Sequence, residues 1–134
     1  MQNGVRALLV MASRHTARVW AALESHGFEI DHALNCREAR ELLQSGVEFD
    51  LVISDLSLPD GSWWTVSREL TQAGNHASLV VCSPSAVEAG QDFEPFTRGL
   101  AEVIRPPIDP ATVECVLERL GLAGCGLMRT ASGF

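Results

Sequence analysis

The chain has 134 residues, 46% of them hydrophobic, and carries a formal net charge of −7. This length fits one domain with a single core, and the acidic balance argues against a nucleic-acid-binding surface. No apolar run approaches the ~20 residues of a membrane-spanning helix, and no basic segment followed by an apolar core opens the chain. We therefore predict a cytoplasmic protein without nucleic-acid or membrane partners.

The cysteines and histidines show no metal-binding pattern. They are scattered along the chain, without a CxxC pair and without the spacing of zinc ligands. We expect free thiols, as in a reducing cytosol, no metal site and no cofactor. The residues concerned are Cys36, Cys82, Cys115, Cys125, His15, His26, His32 and His76.

The first part of the chain predicts two strand–helix units. Residues 5–11 form an apolar run typical of a buried strand, and Ser13 is the expected N-cap of the helix that follows. Residues 28–33 alternate apolar and acidic side chains, which favours a strand near a sheet edge. Asn35 and Glu38 have the spacing of a capping box, so a second helix should begin there.

The centre of the chain holds a short apolar strand that ends in a carboxylate. Residues 51–53 are apolar and partly β-branched, Asp55 follows them, and residues 59–61 (Pro-Asp-Gly) force a turn. Ser62 is then the expected N-cap of a third helix. Ligands of open α/β sheets bind at the carboxyl ends of the strands, so Asp55 is the leading candidate for a functional residue.

The second half continues the alternation. Residues 78–82 predict a fourth buried strand, and residues 85–99 a short or broken helix because a glycine and a proline interrupt it. Residues 102–105 predict a fifth strand, after which Asp109 and Pro110 open a last helix.

Five strand–helix units in strict alternation predict an α/β fold. We expect a flavodoxin-like (βα)5 three-layer sandwich with a five-stranded parallel sheet of order 2-1-3-4-5. Residues 1–122 should form this domain, and residues 123–134 a mobile C-terminal tail, because they lack periodicity.

The strand, aspartate and Leu-Pro-Asp-Gly sequence of residues 51–61 resembles the phosphoacceptor segment of response-regulator receiver domains. The resemblance extends over about residues 5–122. It implies a signalling module of a bacterial two-component (phosphorelay) pathway rather than an enzyme, with Asp55 at the phosphoacceptor position. It also implies a protein partner, either a histidine kinase or a downstream signalling protein, and it is compatible with a homodimer.

Other site positions of that family are altered in this chain. The acidic pair that helps receivers hold Mg²⁺ corresponds to Met11 and Ala12, and the phosphoryl-binding lysine corresponds to Pro106. The chain contains no lysine at all, whereas Ser83 keeps the hydroxyl position and Val103 replaces the switch aromatic. One carboxylate is a poor Mg²⁺ site. The resemblance therefore implies a degenerate pseudo-receiver that acts through protein–protein interaction without Mg²⁺-dependent phosphorylation.

Two alternatives stay open. One is an atypical receiver that is still phosphorylated on Asp55, and the other is an enzyme or cofactor binder on the same fold. Against the second, the loop after the first strand contains no glycine with which to cradle a phosphate. In the pseudo-receiver interpretation, Asp55 is an N-cap or a residue that orders its own turn by hydrogen bonding to the backbone.

Aromatic side chains are the candidates for an interaction surface. Trp63 and Trp64 begin the third helix, where consecutive residues cannot both face the core. We expect Trp63 to be the exposed one and to act as an interface anchor. Phe93 and Phe96 flank Pro95 in a segment poorly suited to regular packing, and we expect them to extend this surface.

Overall fold

The computed structural model describes residues 5–82, 102–104, 108 and 110–121. The strands are β1 (Arg6–Val10), β2 (Glu29–Ala33), β3 (Leu51–Asp55), β4 (Ser57–Leu58), β5 (Gly61–Ser62), β6 (Ser78–Cys82) and β7 (Glu102–Ile104). The helices are α1 (Thr16–Ser25), α2 (Cys36–Gln44), α3 (Trp63–Gln72) and α4 (Pro110–Arg119). The expected broken helix of residues 85–99, the expected tail of residues 123–134 and the cap at Asp109 lie outside the described residues.

Five strands form one parallel sheet in the order β2-β1-β3-β6-β7. Counted by these strands alone, this is the predicted order 2-1-3-4-5, and the prediction of a flavodoxin-like fold is confirmed. The central strand β3 pairs with β1 on one side and with β6 on the other. Its last residue, Asp55, lies opposite Cys82 in the register of β3 and β6.

The sheet is covered by helices on both faces. Leu9 and Ile53 point to the face packed against α1 and α4, whereas Leu8 and Val52 point to the face packed against α2 and α3. All four side chains are buried, as expected of parallel strands covered on both sides. Helices α1 and α4 contact each other on one face and α2 and α3 on the other, which produces the predicted three layers.

Of the three predicted N-caps that lie within the described residues, two are confirmed. The Asn35 side chain accepts a hydrogen bond from the Glu38 N–H at 2.8 Å, and Ser62 caps α3. The prediction for Ser13 is wrong, because α1 begins at Thr16 with His15 at the N-cap and without a side-chain cap. The Ser13 hydroxyl instead donates to a carboxylate on a neighbouring strand, Asp55.

The prediction that Trp63 is the exposed tryptophan is also wrong. Trp63 is 5% exposed and Trp64 is 44% exposed. Trp63, Val66 and Leu70 share one stripe of α3 at helical spacing, and this stripe packs against the sheet. The next residue is rotated by about 100° around the helix axis, so Trp64 points away from the sheet.

Among the described residues, no helix is long and apolar enough to cross a membrane.

Candidate functional site

The Asp55 carboxylate lies at the carboxyl end of β3 and is 6% exposed. Its Oδ2 accepts hydrogen bonds from the backbone N–H groups of Ala12 at 2.8 Å and Ser13 at 3.0 Å. Its Oδ1 accepts a third from the Ser13 hydroxyl at 2.8 Å. The carboxylate thus orders a loop, but the loop is the one that follows β1 and not its own turn.

This β1–α1 loop is also held from the β2 side. The Met11 N–H donates to the Ala33 carbonyl at 3.0 Å, and His32 Nε2 lies at hydrogen-bonding distance, 2.8 Å, from the Met11 carbonyl oxygen. The Trp20 ring packs edge-on against His32 with the ring centroids 5.5 Å apart. These contacts, together with those to Asp55, leave the loop fixed by its neighbours on both sides.

Two open cavities adjoin this loop. One of about 140 Å³ lies over Asp55, and one of about 550 Å³ runs along α1. The smaller is lined by Ser13, His15, Asp55, Leu56, Ser57 and Cys82. The larger is lined by Ser13, Arg14, Thr16, Ala17, Trp20, Ala21 and Glu24. The chemistry of the site belongs to the smaller cavity, since of these two only the smaller contains Asp55.

Cys82 contributes a neutral thiol to the smaller cavity. Burial of the side chain, and secondly the negative charge of Asp55, raise the pKa of the Cys82 thiol to about 12. The thiolate is the nucleophilic form of cysteine, so this thiol is unreactive near neutral pH. Cys36, Cys82 and Cys115 are free thiols, as predicted.

The described residues around Asp55 do not fit a magnesium ion. Mg²⁺ prefers octahedral coordination by oxygen ligands, commonly including one or two carboxylates. Met11 is fully buried in the core between the sheet and α1, and Ala12 offers only a methyl group. Three of the lone-pair positions of Asp55 already accept hydrogen bonds. Within residues 5–82 and the described parts of 102–121, no group of three or more His, Cys, Asp and Glu side chains could hold a metal ion.

A second carboxylate has a role that sequence reasoning missed. Asp60 Oδ1 accepts the backbone N–H of Cys36 at 2.7 Å, and Oδ2 accepts that of Arg37 at 3.1 Å. Asp60 therefore caps α2 from a different part of the chain. These hydrogen bonds, chiefly the one from the Cys36 N–H, lower the pKa of Asp60 below its ordinary value of 3.8. Burial, and secondly the nearby Asp60, raise the pKa of the Cys36 thiol to about 11. Only the Pro-Asp-Gly turn marked this residue in the sequence, and a turn does not reveal a distant partner.

Known proteins resemble this chain mainly in structure. No protein-family model matches it. The receiver domain of the sensor histidine kinase PA1611 from Pseudomonas aeruginosa, solved with a magnesium ion coordinated in the active site cleft, superposes with a TM-score of 0.73. The match covers 89% of this chain and 99% of that one at 17% identity. The non-phosphorylated HemR receiver domain from Leptospira biflexa gives a TM-score of 0.70 at 25% identity, over 93% and 97% of the two chains.

The chain has the response-regulator receiver fold.

The chain also resembles a curated sensor protein in sequence. The aerobic respiration control sensor protein ArcB of Escherichia coli (strain K12) is 26% identical over 102 residues, which are 74% of this chain. The chain spans only 13% of the length of that protein.

On the receiver fold, the positions expected to be vestigial are only partly described. Ala12 binds Asp55 through its backbone N–H, Met11 precedes it in the buried core, and Val103 lies half-buried in β7 on the α2–α3 face, opposite Val81. Ser83, Pro106, Phe93 and Phe96 lie outside the described residues. The structure therefore brings together Asp55 and the backbone of Ala12, and it buries Trp63.

Proposed function

We propose that this chain is a receiver-like signalling module of a bacterial two-component pathway that works through protein–protein interaction. In this proposal, Asp55 is not phosphorylated in an Mg²⁺-dependent reaction. The partner is a protein of the same pathway, either a histidine kinase or a downstream signalling protein, in the cytoplasm. A second copy of the chain is compatible with the same role.

The observation that carries the proposal is the state of the Asp55 carboxylate. Both of its oxygens accept hydrogen bonds, two from N–H groups of Ala12 and Ser13 and one from a hydroxyl. A phosphoacceptor carboxylate needs a lone pair directed at phosphorus and a cation to neutralise the incoming phosphoryl group. Here the lone pairs serve neutral donors of the protein, and Met11 and Ala12 supply no second acid for a metal.

The size of the expected defect follows from the missing groups. If a metal ion and a lysine each accelerate transfer by ~10²-fold, losing both raises the barrier by about 5 kcal/mol. The chain has no lysine anywhere, and the positions that correspond to the acidic pair carry a thioether and a methyl group. Transfer slowed by about 10⁴-fold is too slow for a switch that must respond within the lifetime of a signal.

Intact-protein mass spectrometry after incubation with acetyl phosphate and millimolar Mg²⁺ tests the proposal. We expect no mass change in the wild type, under conditions that label a receiver with an intact acidic pair. A gain of one phosphoryl group that is absent from Asp55→Asn but present in Asp60→Asn would refute the proposal. The function would then be that of an atypical receiver phosphorylated on Asp55.

A further inference from the structure

One aspartate ends β3 and a second lies in the turn that follows, and both accept backbone N–H groups from other parts of the chain. Asp55 binds the β1–α1 loop, and Asp60 binds the first turn of α2. We propose that Asp55 and Asp60 together form a carboxylate tie, which fixes the junctions after β1 and β2 to the segment after β3. In this assignment the segment is a structural organiser of the carboxyl edge of the sheet.

The first half of the tie joins residues far apart in sequence. Asp55 is separated by 43 residues from Ala12 and by 42 residues from Ser13. Asp55 is only 6% exposed, so water has limited access to these hydrogen bonds. Hydrogen bonds to charged acceptors are the stronger class, and a buried carboxylate without them would be costly. The hydrogen bonds that hold the β1–α1 loop therefore also stabilise the buried Asp55 carboxylate.

The second half of the tie completes the start of α2. The first N–H groups of a helix have no partner within the helix. Asp60 accepts those of Cys36 and Arg37, and the Asn35 side chain accepts that of Glu38. Three successive donors are therefore satisfied, two of them by a residue 24 and 23 positions away. Negative charge at this end of the helix also interacts favourably with the helix dipole.

The two halves are connected by a short, well-fixed piece of chain. The Leu56 N–H donates to the Cys82 carbonyl at 3.2 Å, and the Trp63 N–H donates to the Leu56 carbonyl at 3.3 Å. Between them, residues 57–58 and 61–62 pair as a two-stranded antiparallel ribbon. The positions of the two carboxylates are thus coupled through a piece of chain that is itself hydrogen-bonded to β6.

This inference rests on the proposed function in one respect, namely that the Asp55 oxygens bind protein donors instead of a metal or a phosphoryl group. It deepens that function, because a tied edge presents one arrangement of its loops regardless of Mg²⁺ or phosphoryl donor. A ligand can shift a conformational equilibrium only if it binds two states differently. The tie predicts a single loop arrangement for a partner to recognise.

The geometry makes an unequal prediction for asparagine at the two positions. Both N–H groups bound by Asp55 converge on a single oxygen, Oδ2, so Asp55→Asn can keep both on its one amide oxygen. At Asp60 each oxygen binds one N–H group, so Asp60→Asn must lose one of the two. Alanine removes every acceptor at either position.

Amide hydrogen exchange, measured by NMR on the whole chain, tests the tie. Asp60→Asn should raise the exchange rate at Cys36 or Arg37 by about tenfold or more, with Ala12 and Ser13 little changed. Asp55→Asn should raise the rates at Ala12 and Ser13 by less, whereas Asp55→Ala should raise them by about tenfold or more. Glu48→Gln, at an exposed position, removes the same charge and should change none of the four rates.

The tie is refuted if Asp60→Asn leaves both helix amides as protected as in the wild type, or if the two asparagine variants respond equally. If Asp55→Ala does not fold, the comparison of Asp55→Asn with Asp60→Asn still tests the tie. The proposed function fails separately, through phosphoryl labelling of the wild type. If the wild type is phosphorylated but the exchange rates of the two asparagine variants differ as predicted, the proposed function is wrong and the tie is supported for the unphosphorylated protein.

Discussion

Trp63 and Trp64 are adjacent in sequence, but Trp63 is 5% exposed and Trp64 is 44% exposed. The variants Trp63→Ala and Trp64→Ala therefore form a matched pair for measuring how much burial of the side chain stabilises the fold. Trp63 lies in the core between the sheet and the α2–α3 layer, in the stripe it shares with Val66 and Leu70. The two indole rings also meet edge to face, with centroids 5.6 Å apart and an interplanar angle of 75°. Both variants therefore lose this ring contact, and of the two only Trp63→Ala also opens the core.

The magnitudes follow from the buried area. A buried tryptophan removes on the order of 150–250 Å² from water, which at ~25 cal/mol per Å² corresponds to about 4–6 kcal/mol. Trp→Ala substitutions that leave a cavity in a core lower the free energy of unfolding by about 3–5 kcal/mol. We expect a loss of about 3–5 kcal/mol for Trp63→Ala. Trp64→Ala should cost about 1 kcal/mol, mostly through the ring contact. The difference is large because a whole domain is stable by only about 5–15 kcal/mol.

Urea denaturation followed by far-ultraviolet circular dichroism measures both values without relying on the altered fluorophores. Trp63→Leu, which keeps part of the apolar volume, provides a folded variant if Trp63→Ala is too unstable to study. Its loss should lie between the two alanine variants. Equal losses for Trp63→Ala and Trp64→Ala, or a larger loss at Trp64, would contradict the packing of the Trp63 face of α3 against the sheet.

Two further predictions concern the turn after β3. Gly61→Ala should cost about 1–3 kcal/mol, because a Cβ at Gly61 would lie 2.8 Å from Thr65 Oγ1 and 2.9 Å from Cys36 Sγ. Adding Cys36→Ala to Gly61→Ala should recover part of this loss in a double-mutant cycle, and simple additivity would contradict the contact. The pKa of Asp60 is lowered in the folded state, so its contribution to stability is present above about pH 4 and is lost as the pH falls through the folded-state value. The difference in the free energy of unfolding between wild type and Asp60→Asn should therefore shrink below about pH 4, and a difference that stays constant down to about pH 2 would argue against the capping role.

The order of elements was accessible from the sequence because each has a local signal. The apolar run of residues 78–82 predicts β6 with its observed bounds, and the capping residues Asn35 and Ser62 mark the starts of α2 and α3. Glycines at the helix ends adopt positive φ, as at Gly27 with 84°. Strict alternation of these elements then leaves few topologies, and the observed sheet order is the expected one.

The details of the site were less accessible, because they depend on distant backbone donors. The position of Asp55 at the end of a buried strand follows from local pattern, but its partners, the N–H groups of Ala12 and Ser13, have no side-chain signature. The same holds for Asp60, whose partners begin another helix. The wrong prediction for Trp63, by contrast, could have been avoided from the sequence. The helical spacing of Trp63 to Val66 and Leu70 already indicated a buried stripe.

Under the proposed function, the charge of this edge of the sheet accounts for an aspartate that is not phosphorylated. A buried carboxylate must be compensated by a cation or by hydrogen-bond donors. In the receiver pattern that this chain resembles, an acidic pair beside the phosphoacceptor concentrates negative charge, and like charges at close range require a metal ion. In the proposed correspondence Met11 and Ala12 occupy those positions, so neither adds a carboxylate, and three neutral donors compensate Asp55. An aspartate at the end of β3 is therefore no indication of phosphorylation by itself, since the same residue without acidic neighbours is well placed to hold a loop.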